Sequence, residues 1–122
     1  MSISMSRRTL AVLGLASSLP KAAAAQAAWP DRQVRLIVPF GAGGAVDTLS
    51  RLVANGFAAQ ANGQAIVVEN RSGAGGAIAG AFVAQSRPDG YTLMMADLGA
   101  NCIGKELQPA LNYDPMRAFT PI

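Results

Sequence analysis

Histidine is absent from the 122 residues, and cysteine occurs once, at Cys102. Together these facts remove Ser-His-Asp and Cys-His nucleophilic arrangements, and every zinc site that needs imidazole or paired thiolates. A lone cysteine forms no intramolecular disulfide, and Cys102 is expected to be a buried, inert side chain. Aromatic residues are only 6% of the chain and charged residues 14%, so the basic stripe with interleaved rings that grips nucleic acid is missing. No apolar run reaches the ~20 residues that cross a bilayer, so the processed chain is not expected to span a membrane.

The formal charge is +3 and the calculated pI is about 9.6, so the position of the positive charge matters. Arg7, Arg8 and Lys21 carry the excess, while residues 28–122 hold six Arg and one Lys against five Asp and two Glu. Residues 1–27 have the layout of a signal peptide: a polar start with two arginines, an apolar run from Leu10 to Leu19, and the small-residue stretch AAAAQA. Ser6-Arg7-Arg8-Thr9-Leu10 also resembles a twin-arginine signal, and the export route stays open between that and ordinary secretion. In the remainder, Arg32, Arg35, Arg51, Arg71, Arg87 and Arg117 are spread singly, as solvated charges around a fold would be.

From Trp29-Pro30-Asp31 onward the pattern alternates. Val34-Arg35-Leu36-Ile37-Val38, closed by Pro39, predicts a buried strand. The loop Phe40–Asp47 follows, and then Leu49, Leu52, Val53 and Phe57 fall on one helical face, with Asn62-Gly63 as a stop. Ala65–Glu69 predicts a second strand and Asn70–Gly76 a second glycine loop. A second helix is expected to run to about Ser86, before the turn Pro88-Asp89-Gly90. Tyr91–Ala96 predicts a third strand, and a short helix is expected near Cys102–Gln108. The peptide GAGGA occurs at 41–45 and again at 73–77, a spacing that fits one βα unit and predicts the same turn used twice. Alternating strands and helices of this kind imply an α/β fold with a parallel sheet, right-handed crossovers and the loops gathered at the carboxyl ends of the strands.

A glycine loop between a strand and a helix exposes backbone N–H groups, and the helix dipole adds partial positive charge. Such a turn holds a carboxylate or phosphate without a basic side chain; equally, it can be a tight turn that needs glycine for packing alone. Gly41, Gly43 and Gly44 permit positive φ and close approach. Neither loop completes G-x-G-x-x-G, since Val46 and Ile78 stand at the third position, and neither is followed by the Lys of a P-loop. No cofactor is expected. Asp47 sits where a first-turn carboxylate caps free amides, and Asp97 is either a residue of the same crevice or another cap.

PFGAGGAVD, VVENRSGAGGAIAG, PDGYTLM and YDPMRAFTPI, in this order, resemble the Bug-type substrate-binding proteins of tripartite tricarboxylate transporters, over about residues 28–122. The resemblance implies a three-layer, parallel-sheet domain of a type II periplasmic-binding-protein fold, whose two domains close on a ligand about a hinge. It further implies a periplasmic, non-catalytic, monomeric receptor for a small carboxylate, served by membrane subunits of the transporter. Residues 28–122 would be the first part of the first domain, with the second domain absent. The implied site comprises Phe40, Gly41, Ala42, Gly43, Gly44 and Asp47 of the first loop, Gly75 and Gly76 of the second, and Asp97 and Asn101 of the third. The family's third loop usually carries Ser or Thr and then His; here it reads Asp97-Leu98-Gly99-Ala100-Asn101, which points to an amide, a neutral compound or a cation-bearing acid. Two other readings stand beside the receptor: an exported enzyme acting on an organic acid with Asp97 as general base, and an unstable truncated remnant.

Overall fold

The computed structural model describes residues 28–61 and 63–122, so the expected leader and Asn62 lie outside the described residues. Three parallel strands form one sheet: β1 (Val34–Val38) is central, with β2 (Ile66–Asn70) on one side and β3 (Thr92–Met94) on the other. The register pairs Leu36 with Val68 and with Leu93, so these three share a face, and Arg35, Ile37, Val67, Glu69, Thr92 and Met94 share the other. The central strand is apolar at every position but Arg35 because both its faces are covered. Val34, Ile37 and Val38 are completely buried, each stabilising the fold by about 1.5–3 kcal/mol.

Helix α1 (Ala45–Ala58) returns the chain from β1 to β2, and α2 (Ala77–Ala84) returns it from β2 to β3. Because β2 and β3 lie on opposite sides of β1, right-handed crossovers put α1 and α2 on opposite faces of the sheet. Phe82 of α2 accordingly lies under the guanidinium of Arg35, on the odd-numbered face of β1. Chain direction out of the sheet therefore reverses between the carboxyl ends of β1 and β3, the position at which open α/β sheets generally hold ligands.

Several expectations are corrected. The face of α1 that meets the sheet carries the small residues Ser50 and Ala54 together with Asp47, all buried, while Leu49, Leu52 and Val53 are about half exposed or more. Small side chains let the helix approach the sheet closely, and the larger apolar stripe is left facing outward. The helix also ends at Ala58, before the expected stop. Cys102 is exposed, not buried: on the π-helical turn Gly99–Ile103 and the following α3 (Gly104–Leu107), the inward positions are Ala100 and Gly104.

The two GAGGA segments do not repeat one turn. In the first, only Gly43 has positive φ, at 84°, and Gly44 is extended. In the second, Gly73, Ala74, Gly75 and Gly76 all have positive φ, at 131°, 48°, 60° and 91°. The left-handed Ala74 costs roughly 1–2 kcal/mol, and its carbonyl is held by the Gln108 side chain at 2.7 Å.

Most arginines are paired, not singly solvated. Arg35 makes a two-pronged contact with Glu69 at 2.6 and 2.8 Å, and Arg71 joins the same carboxylate at 3.6 Å while stacking on Phe82. Arg32, Arg51 and Arg117 pair with Asp89, Asp47 and Asp114. Among the described residues, no helix is long and apolar enough to cross a membrane.

Candidate functional site

The loop between β1 and α1 leaves the sheet at its centre. The Phe40 ring and residues 41–45 are exposed. Asp47, three residues into the helix from its Gly44 cap, turns back on the loop and accepts the Gly43 N–H at 2.8 Å. The same oxygen accepts Arg51 Nε at 3.0 Å, and the other accepts Asn70 Nδ2 at 2.9 Å. Arg51 first, then the Gly43 amide and Asn70, hold the Asp47 carboxyl well below the usual carboxylate range. Asn70 closes the network: its Nδ2 also donates to the Phe40 carbonyl at 3.0 Å, and its Oδ1 accepts Arg51 Nη2 at 3.3 Å.

With Gly43 engaged, the amides of Gly41, Ala42 and Ala45 still donate to no protein acceptor among the described residues. They stand at the positive end of a 14-residue helix. The turn therefore offers hydrogen-bond donors and a dipole, with its one nearby acid and base neutralising each other.

The second and third loops meet each other. A Cβ at Gly76 would lie 3.0 Å from Asp97 Oδ1 and 3.2 Å from the Ala100 Cβ, and one at Gly99 would overlap the Gly75 carbonyl. Asp97 accepts the N–H groups of Gly99 at 2.9 Å and Ala100 at 3.2 Å, and its own N–H donates to the Asn101 side chain at 2.9 Å. Asp97 is thus a cap of the turn that follows it. The phenol of Tyr113 is raised above its usual value, first by its own burial and then by the charge of Asp97. The Tyr113 hydroxyl donates to the Ala100 carbonyl at 2.9 Å.

The ten nominated residues therefore form two groups. Phe40–Gly44 and Asp47 are tied to the end of β2, while Gly75, Gly76, Asp97 and Asn101 pack together beside it. Arg51 and Asn70 join the first group through Asp47, beyond the residues that the sequence singles out. The Asp47–Arg51 spacing of four on a helix is the signal that finds the first, whereas nothing local marks Asn70. A groove of about 1260 Å³ is lined by Leu36 and Leu93 of the sheet together with Trp29, Phe57, Met95 and Phe119, and of the candidate site residues only Asn101 borders it. Among the described residues, no group of three acids or thiols is placed to hold a metal.

Residues 49–122 match the family described as tripartite tricarboxylate transporter family receptor. The chain belongs to this family. A UPF0065 protein of Agrobacterium vitis, from the TAR-I ttuE-ttuC' intergenic region, is 41% identical over 118 residues, covering 97% of this chain and 34% of the relative. Protein BugT of Bordetella pertussis is 36% identical over 94% of this chain and 36% of its own length. Among solved structures, MatC of Rhodopseudomonas palustris with bound malate superposes with a TM-score of 0.71 at 42% identity, over 77% of this chain and 32% of that one. Periplasmic binding protein BugD does so at 0.70 and 37%, over 77% and 31%, and R. palustris Rpa4515 with adipate at 0.67 and 41%, over 71% and 29%. The chain thus spans about a third of the length of the relatives it matches. The fold is the parallel α/β sheet of these periplasmic receptors, present in part.

Proposed function

We propose that this chain forms one wall of the ligand site in an extracytoplasmic receptor, which captures a small organic carboxylate for a tripartite tricarboxylate-type transporter. The open amides of Gly41, Ala42 and Ala45, at the dipole end of α1, carry this reading. They offer a carboxylate donors without a fixed charge, and the malate-bound and adipate-bound relatives share this fold. The second loop, through Gly75 and Gly76, and the third, through Asp97 and Asn101, border the same crevice in this proposal. Membership of the family supports periplasmic residence and docking on membrane subunits as part of this proposal.

An enzymatic role for Asp97 finds no support in its surroundings, since both its oxygens already accept backbone amides. Calorimetric titration of the chain with malate, adipate and their uncharged esters tests the reading. Heat is expected with at least one carboxylate and is expected to vanish with the uncharged ester. Heat that persists with the ester and is absent with every acid would overturn it.

A further inference from the structure

The Asp47–Arg51–Asn70 network does more than join two elements, if the carboxylate-receptor reading on which this rests is right. We propose that Asp47 and Asn70 are positioning residues that hold the Phe40–Ala45 turn in the shape that leaves its amides open to an anion, while touching no ligand themselves.

The hydrogen bonds of Asp47 are the first support. Its carboxylate is 3% exposed and accepts from three directions, from Gly43, Arg51 and Asn70. That leaves no face for a ligand, and Arg51 cancels its charge. Asn70 is equally committed, and in one orientation only. Rotating its amide by half a turn would set NH2 against Arg51 and oxygen against both the Phe40 carbonyl and the Asp47 carboxylate. Five groups, the Phe40 carbonyl, the Gly43 amide, Asp47, Arg51 and Asn70, are thereby fixed to one another.

The molecule also contains its own control. The second GAGGA peptide carries Ala79 where the first carries Asp47, so the residue at that place has no acceptor to turn back on the loop. There the same five residues take four successive positive φ values. The peptide is thus compatible with two shapes: in the first a carboxylate seizes the Gly43 amide, and in the second that carboxylate is missing while Gln108 holds the Ala74 carbonyl. A loop already fixed in its binding shape loses less freedom on binding, so a loosened turn should bind more weakly by about tenfold.

The experiment compares Asp47→Ala, Asn70→Ala, the double variant and Arg51→Ala in the full chain. It uses backbone 15N relaxation for loop order, thermal melts for the fold, and calorimetry with malate and adipate. Both single variants are expected to melt cooperatively, to show reduced order confined to residues 40–45, and to bind about tenfold more weakly. The double variant should be no worse than the weaker single, because the network acts as one unit. Unchanged loop order in both singles overturns the proposal, and so does weakened binding with loop order intact, which would mark a direct contact. Should Asp47→Ala fail to fold, Asn70→Ala and Arg51→Ala decide by the same measures. Should the unaltered chain bind neither acid, the receptor reading falls, while loop order alone still decides whether the network shapes the turn.

Discussion

Asp47 and Glu69 both hold carboxyls below their ordinary value, Asp47 chiefly through Arg51 and Glu69 chiefly through Arg35, against a smaller opposing push from burial. A carboxylate that is more acidic folded than unfolded contributes stability that is fully present above the unfolded value, about 4. That contribution disappears as pH drops through the lower, folded value. Thermal stability is therefore expected to be flat between about pH 7 and pH 5 and to fall below about pH 4. Asp47→Asn should shallow this acid limb, since one of the two groups no longer titrates. Melts across that range check it, and an acid limb as steep as that of the parent chain would place the proton uptake elsewhere. At this scale the sequence is informative about type more than partner. An acid in the first helical turn is legible as a cap, but which amide it takes depends on how the preceding glycine turn folds back.

Helix α2 is built from small and apolar residues, with Ala77, Ala79 and Gly80 buried. Gly80 is required by Tyr113, whose hydroxyl lies where a Cβ would stand. Gly80→Ala gains helix propensity of about 1 kcal/mol but forces the ring aside, and a net loss of about 1–3 kcal/mol is expected. Removing the hydroxyl with Tyr113→Phe should recover part of that loss in the double variant, as read by chemical denaturation. Simple addition of the two costs would show that the ring and the glycine are not coupled. Elements are also where the sequence reads best. β1 is bounded as its β-branched run and Pro39 imply, and the order of strands, loops and helices follows the apolar pattern. Periodicity shows that Leu49, Leu52 and Val53 share a face of α1, yet not that Ser50 and Ala54 face the sheet. That choice is made by how near a helix can approach, which is a property of the pair of surfaces. The GAGGA repeat misleads for a related reason: the residue deciding its conformation lies outside the repeat, at Asp47 or Ala79.

Across the whole molecule, the charges of residues 28–122 balance, and most are spent on one another. A site that relies on amide dipoles in such a background should respond weakly to salt. Between 0.1 M and 1 M, where the Debye length shrinks from about 10 Å to about 3 Å, malate affinity is expected to change by less than about threefold. A tenfold or steeper loss, measured calorimetrically, would reveal a guanidinium or ammonium group at the ligand. The apolar groove beside β3 and the outward stripe of α1 show how much greasy surface the described residues leave uncovered, in a chain a third as long as its relatives. Cys102 borders that groove, next to the turn that Asp97 caps. As the chain's sole thiol, and an accessible one, it is a ready-made attachment point for an environment-sensitive fluorophore. Site occupancy could then be followed optically without engineering any residue.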